Sequence, residues 1–151
     1  MTTNSEFREL HDAALEGDVE RVRQLLDQGA DPDRKNAAGY TPLQLAARSG
    51  RSASVEALLD GGAELDVRDS HGNTPLGMAM FSTTGDAVAT VGLLLERGAD
   101  PDSKNNAGET PRHLSNLMMN QHFKDLFAEY GGPSSPPLWW RPATSPVATN
   151  S

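Results

Sequence analysis

The residues best suited to chemistry in this sequence are four histidines, His11, His71, His113 and His122, and two acidic triplets, Asp31-Pro32-Asp33 and Asp100-Pro101-Asp102. Asp69 and His71 stand two residues apart and could share a divalent metal, but no further ligand lies near them in sequence and a metal site needs three or four. The triplets lack the ordered ligand series of a calcium loop, whereas Asp and Pro in that arrangement suit a turn. No G-x-x-x-x-G-K-[ST] occurs and no G-x-G-x-x-G follows a strand, so no phosphate cradle is expected. The chain has no cysteine, which removes disulfides, thiolate ligands and a cysteine nucleophile. Without a convergent set of reactive groups, neither an enzyme nor a cofactor or metal site is expected. His71 reads instead as a solvent-facing contact residue, and His122 as either exposed or packed beneath the carboxyl-terminal tail.

The elements that position these groups are legible as a repeat. Gly39-Tyr40-Thr41-Pro42-Leu43 recurs as Gly72-Asn73-Thr74-Pro75-Leu76 and as Gly108-Glu109-Thr110-Pro111-Arg112, at steps of 33 and 36 residues. Gly29-Ala30, Gly62-Ala63 and Gly98-Ala99 keep the same two steps, each after a leucine pair. Thr41, Thr74 and Thr110 can cap a helix, and the following proline then occupies the first helical position, where a missing N–H costs nothing. Small pairs such as Ala13-Ala14 and Ala46-Ala47 allow close helix approach. Val55, Leu58 and Leu59, like their counterparts in the other units, fall on one helical face. Leu59 is accordingly expected to be buried, so that Leu59→Ala costs about 2–5 kcal/mol. Gly29, Gly62 and Gly98 read as left-handed helix stops, and Gly39, Gly72 and Gly108 as hairpin turns. The third unit has three extra residues between Met80 and Val91, which lengthen either its first helix or the loop that follows.

Taken together, G-x-T-P-L, a small-residue helix, V-x-x-L-L and G-A-x resemble the ankyrin repeat family over about residues 6–131. The resemblance implies an all-α fold, an ankyrin-repeat solenoid of four helix-turn-helix units with short β-hairpin loops. The units fall at about 5–33, 34–66, 67–102 and 103–131, the first and last being atypical caps. It implies that His11 and His113, at the family's T-P-L-H histidine position, are structural and bond to the backbone of a neighbouring hairpin. It also implies that hairpin tips and first helices line a concave surface that reads a partner protein. Carried over position by position, that surface comprises Ala37, Ala38 and Tyr40; Ser70, His71 and Asn73; and Asn106, Ala107 and Glu109 at the tips. On the first helices it comprises Leu15 and Glu16, Arg48 and Ser49, Phe81 and Ser82, and Leu117 and Met118. The expected contacts are Tyr40, Arg48, Ser70, His71, Asn73, Phe81, Asn106 and Glu109, with Trp139 and Trp140 from the tail. Aromatic groups often dominate an interface. Phe81 either faces the partner or turns inward to support the longer loop, and Tyr40 either does the same or packs along its hairpin.

Composition bounds the function. A hydrophobic share of 36 % with only 5 % aromatic residues is lean for one central core and suits an array in which each unit packs on its neighbours. The net charge of −8 repels phosphate backbones and anionic lipid, so nucleic acid and membrane surfaces are unexpected partners. The acid excess either keeps the protein soluble or attracts a basic partner. Residues 1–10, MTTNSEFREL, have neither the basic start nor the apolar run of a signal peptide, and no apolar stretch approaches a membrane span. A cytoplasmic, monomeric protein is expected. Residues 132–151 hold five of the ten prolines and both tryptophans. This tail either folds back on the last helices, docks a partner, or does neither. The expected function is a non-enzymatic protein-interaction module acting as scaffold, inhibitor or toxin-neutralising partner, and the alternative is a structural subunit of a larger complex anchored by the tail.

Overall fold

The structure, a computed structural model, describes residues 4–82, 86–118 and 120–129, with side chains described from Arg8 onward. Among the described residues there are eight α-helices and no strand: α1 Asn4–Glu16, α2 Val19–Asp27, α3 Pro42–Arg48, α4 Ser52–Asp60, α5 Pro75–Met80, α6 Ala87–Glu96, α7 Pro111–Leu117 and α8 Gln121–Glu129. The helices pair in sequence and the pairs stack in sequence. First helices pack in one row, α1 on α3, α3 on α5 and α5 on α7, while α2, α4, α6 and α8 form a second row behind them.

The motif residues shape each unit locally. The Thr41, Thr74 and Thr110 hydroxyls accept the backbone N–H of Gln44, Gly77 and His113 at 3.3, 3.4 and 3.0 Å, with proline next in each helix. At Thr41 the Gln44 side chain returns a bond to the cap's own N–H at 2.8 Å, completing a capping box. The second helices end on Gly29, Gly62 and Gly98, with φ of 94°, 95° and 98°. The alanine after each glycine donates its N–H five residues back, to Leu25, Leu58 and Leu94 at 2.9–3.0 Å. The G-A mark is therefore a Schellman stop: the glycine reverses the chain and the alanine is small enough to tuck under it.

The core lies between the rows. Leu10, Val22, Leu25, Leu43, Val55, Leu58, Leu76, Met80, Val91 and Leu94 are essentially inaccessible, and Ala14, Ala46, Ala47 and Ala79 let the first helices approach closely. Leu59 departs from expectation. It is only half-buried against this core, because Val55 and Leu58, three apart, take the positions between the rows and Leu59 lies one helical step further round. Leu58 is the fully buried member of that pair.

Two departures from the repeat are absorbed without disturbing the stack. The extra residues of the third unit do not lengthen its first helix, since α5 has six residues against seven in α3. They fall in the connection to α6, whose residues 83–85 lie outside the described ones. Arg112, where the other three units have a leucine, makes a two-pronged pair with Asp102, Nε to Oδ1 at 2.7 Å and Nη2 to Oδ2 at 3.1 Å. A polar residue is tolerated there because α7 is the last of the first-helix row among the described residues. Trp139 and Trp140 lie outside the described residues.

Candidate functional site

Three hairpins project between the units, and each is built by one polar side chain. Asn36, Asp69 and Asn105 donate their N–H to the carbonyls of Tyr40, Asn73 and Glu109 at 2.9–3.0 Å. Their Oδ1 atoms each accept two N–H groups, two and four residues on, at 2.9–3.0 Å. The turns are closed so tightly that no ladder forms, which is why the expected hairpins contain no strand. The alternation of Asn and Asp at this position carried the signal, and the repeat motifs alone did not reveal it.

Each hairpin is fastened to its neighbours, but by different chemistry along the stack. The buried His11 ring on α1 has Nε2 3.0 Å from the Tyr40 carbonyl, which agrees with the structural role implied for it. Gln44 does the same work one unit later, its Nε2 donating to Val67 O at 2.9 Å. The matching residue on α5 is Gly77, which has no side chain to offer. There the fastening moves outward. Asn106 donates its backbone N–H to His71 O at 2.9 Å and its amide to Ser70 O at 3.0 Å, while Asn105 bonds the Asn73 amide oxygen at 3.0 Å. Arg68 spans the gap to Ser103 Oγ and Lys104 O, both at 2.5 Å. Gly72 permits this approach, because a Cβ there would stand 2.5 Å from Asn106 Oδ1. His113 corrects the expectation. Its side chain is exposed, for no described hairpin follows α7 to receive its ring.

The expected contact residues share the hairpin and first-helix face. Arg48, Ser70, His71, Phe81 and Asn106 are exposed, and Tyr40, Asn73 and Glu109 are half-buried. The Arg48 guanidinium lies over the Tyr40 ring, 5.8 Å from its centroid, a cation–π arrangement. Phe81 is 54 % exposed, so it does not turn inward. The amides of Asn73 and Asn106 are engaged in joining hairpins, as given above.

Leu15, Arg48, Phe81 and Leu117 occupy one register position, at the carboxyl end of successive first helices. Leu15, Phe81, Leu117 and its neighbour Met118 are the exposed large hydrophobic residues among those described. A groove of about 620 Å³ continues this face at its amino end, lined by Arg8, His11, Asp12, Arg34, Lys35 and Asn36 among others. Sequence reasoning did not single out Arg8, Arg34 or Lys35; the adjacent cations opening a hairpin were the available signal. Among the described residues no three His, Asp or Glu gather so as to hold a metal ion, and no helix is long and apolar enough to cross a membrane.

Comparison with known proteins agrees with this architecture. The ankyrin repeats (3 copies) family profile matches residues 10–105, more than half of the chain. Ankyrin repeat domain-containing protein 39 of cattle (Bos taurus) and of human (Homo sapiens) are each 44 % identical over 43 residues, which covers 28 % of this chain and 24 % of the relative. The chain thus matches about a quarter of those relatives' length. Two rows of helices, Thr-Pro starts, Gly-Ala stops and hairpins latched from one unit to the next carry the match from sequence into structure, and the chain belongs to the ankyrin repeat family.

Proposed function

We propose that the hairpin and first-helix face binds a partner protein, and that binding is the chain's output, with no catalytic step. Ankyrin repeats generally mediate protein–protein interaction. The observation that carries the proposal here is the exposure of Leu15, Phe81 and Leu117 at one register position of the first, third and fourth units, with Arg48 at that position in the second. Ala14 and Met80, which precede Leu15 and Phe81, are buried, so the exposure is confined to the helix ends. Apolar groups aligned on an open surface mark an interaction site more often than they mark chance. Tyr40 and Arg48, stacked one over the other, add residue types that dominate interfaces. Masking or tethering a target suits such a face, as a scaffold or an inhibitor would.

The test uses the full chain as bait in extract of its source cells. Partner recovered by the unaltered protein should be lost with Phe81→Asp and reduced with the Tyr40→Ala, His71→Ala pair. Glu56→Lys, on the exposed side of the second-helix row, should retain it, and all variants should melt alike. Equal recovery with the face variants would remove this surface as the binding site.

A further inference from the structure

The acidic and basic residues are not shared evenly between the two rows. Residues 17–33 hold five acids against two bases, and residues 49–66 and 86–102 each hold four acids against one base. Each of these second-helix segments therefore carries −3. Residues 34–48, the second unit's hairpin and first helix, hold Arg34, Lys35 and Arg48 and no acid. Residues 67–82 hold one base and one acid, and the acid, Asp69, is occupied in closing its hairpin. Apart from residues 1–16, which also carry −3, the acid excess thus resides in the second-helix row and the loops that follow it, whereas the middle of the first-helix face is cationic. Asp12 and Glu16 on α1 bound this cationic patch at its amino end.

We infer that the face accepts a protein segment that is itself acidic and studded with apolar side chains. Its carboxylates meet Lys35 and Arg48, and its apolar groups meet Phe81 and Leu15. This rests on the proposal that the face binds protein, and adds what kind of partner fits. Packed helices lie about 8–10 Å apart, and the Debye length at physiological salt is about 8 Å. A ligand seated on the first-helix row therefore feels the cations it touches more strongly than the acids one row behind. A basic partner, which the overall charge taken alone would favour, would meet like charge at the contact. Nucleic acid fits less well than an acidic peptide. Its tight binding draws on many phosphate contacts, and here a few cations are flanked by acidic loops.

A random peptide library displayed on phage and selected against the full chain reads this preference directly. The selected pool should be enriched in Asp and Glu interspersed with Phe, Leu or Trp. The strongest synthetic peptide from it should lose about tenfold or more in affinity with Arg48→Glu and with Lys35→Glu, weaken with added salt, and bind Glu56→Lys as before. A pool enriched in Lys and Arg, or in nothing above the unselected library, overturns the inference, as does an acidic peptide indifferent to both charge reversals. So does tighter binding of a single-stranded DNA oligonucleotide than of any selected peptide. A basic or neutral pool that loses binding with Phe81→Asp leaves the face standing and removes only its preference for acid, whereas indifference to Phe81→Asp as well removes both.

Discussion

The second and third units solve the same problem in opposite ways. In the second, the buried amide of Gln44 reaches the next hairpin from beneath, at Val67 O, and caps its own helix as well. In the third, Gly77 leaves that position empty, and the next hairpin is held from outside by Arg68, Asn105 and Asn106. A buried joint leaves the surface above it free, while an external joint consumes that surface. Tyr40 and Arg48 consequently have side chains that no hairpin joint uses, whereas the side chains of Asn73 and Asn106, equally well placed by position, are committed to the fold. One repeat can thus be the reader and its neighbour the strut.

The largest expected effect bears on what the two joints share. Leu76 sits fully buried on α5 between them, and Leu76→Ala should cost about 2–5 kcal/mol, read as a shift in the urea midpoint. A shift too small to resolve would mean that the stacking core is misassigned. Gln44→Ala tests the buried joint. It strands the Thr41 N–H and the Val67 carbonyl, and leaving such groups unpaired costs about 1–3 kcal/mol each when water cannot reach them. If the variant unfolds within about half a kcal/mol of the parent, the amide is not the fastening described.

Gly77→Ala should move stability the other way. Gly77 is helical, and its added Cβ would meet nothing closer than 3.9 Å, so the change should stabilise by about 0.5–1 kcal/mol through helix propensity alone. A loss in melting temperature would reveal a packing constraint at α5. The smallest effect is expected from Arg68→Ala. Its partners Ser103 and Lys104 lie at the surface where water replaces it, so global stability should fall by less than about 1 kcal/mol. Amide hydrogen exchange should nevertheless speed up in residues 103–110 and not in 34–41. Uniform exchange in both hairpins would erase the contrast between the joints.

Much of this fold is legible in the sequence because the motif residues act locally. Thr-Pro starts a helix and Gly-Ala stops one whatever the neighbours are, so three copies at fixed spacing expose the stack. What local reasoning misses depends on a neighbour. His113 occupies the same motif position as His11 but is exposed, since its role requires a following hairpin. Leu59 shares a face with Leu58 on a helical wheel, but only the row geometry decides which of them is fully covered. For the candidate site, Tyr40, Arg48 and Phe81 could be named from position, and their exposure then follows from the structure. The cationic patch stayed hidden because a net charge averages over surfaces that a partner never touches together, and Arg34 and Lys35 acquire meaning only once the second-helix row has taken the acids away.

The binding face is the claim on which most depends, and photo-cross-linking in source cells addresses it most directly. A benzophenone amino acid placed at Phe81, and in a separate protein at Glu56, samples opposite rows of the same stack. The account predicts a discrete protein adduct from position 81 and none from position 56. Adducts of equal yield from both positions, or an adduct from position 56 alone, would contradict it.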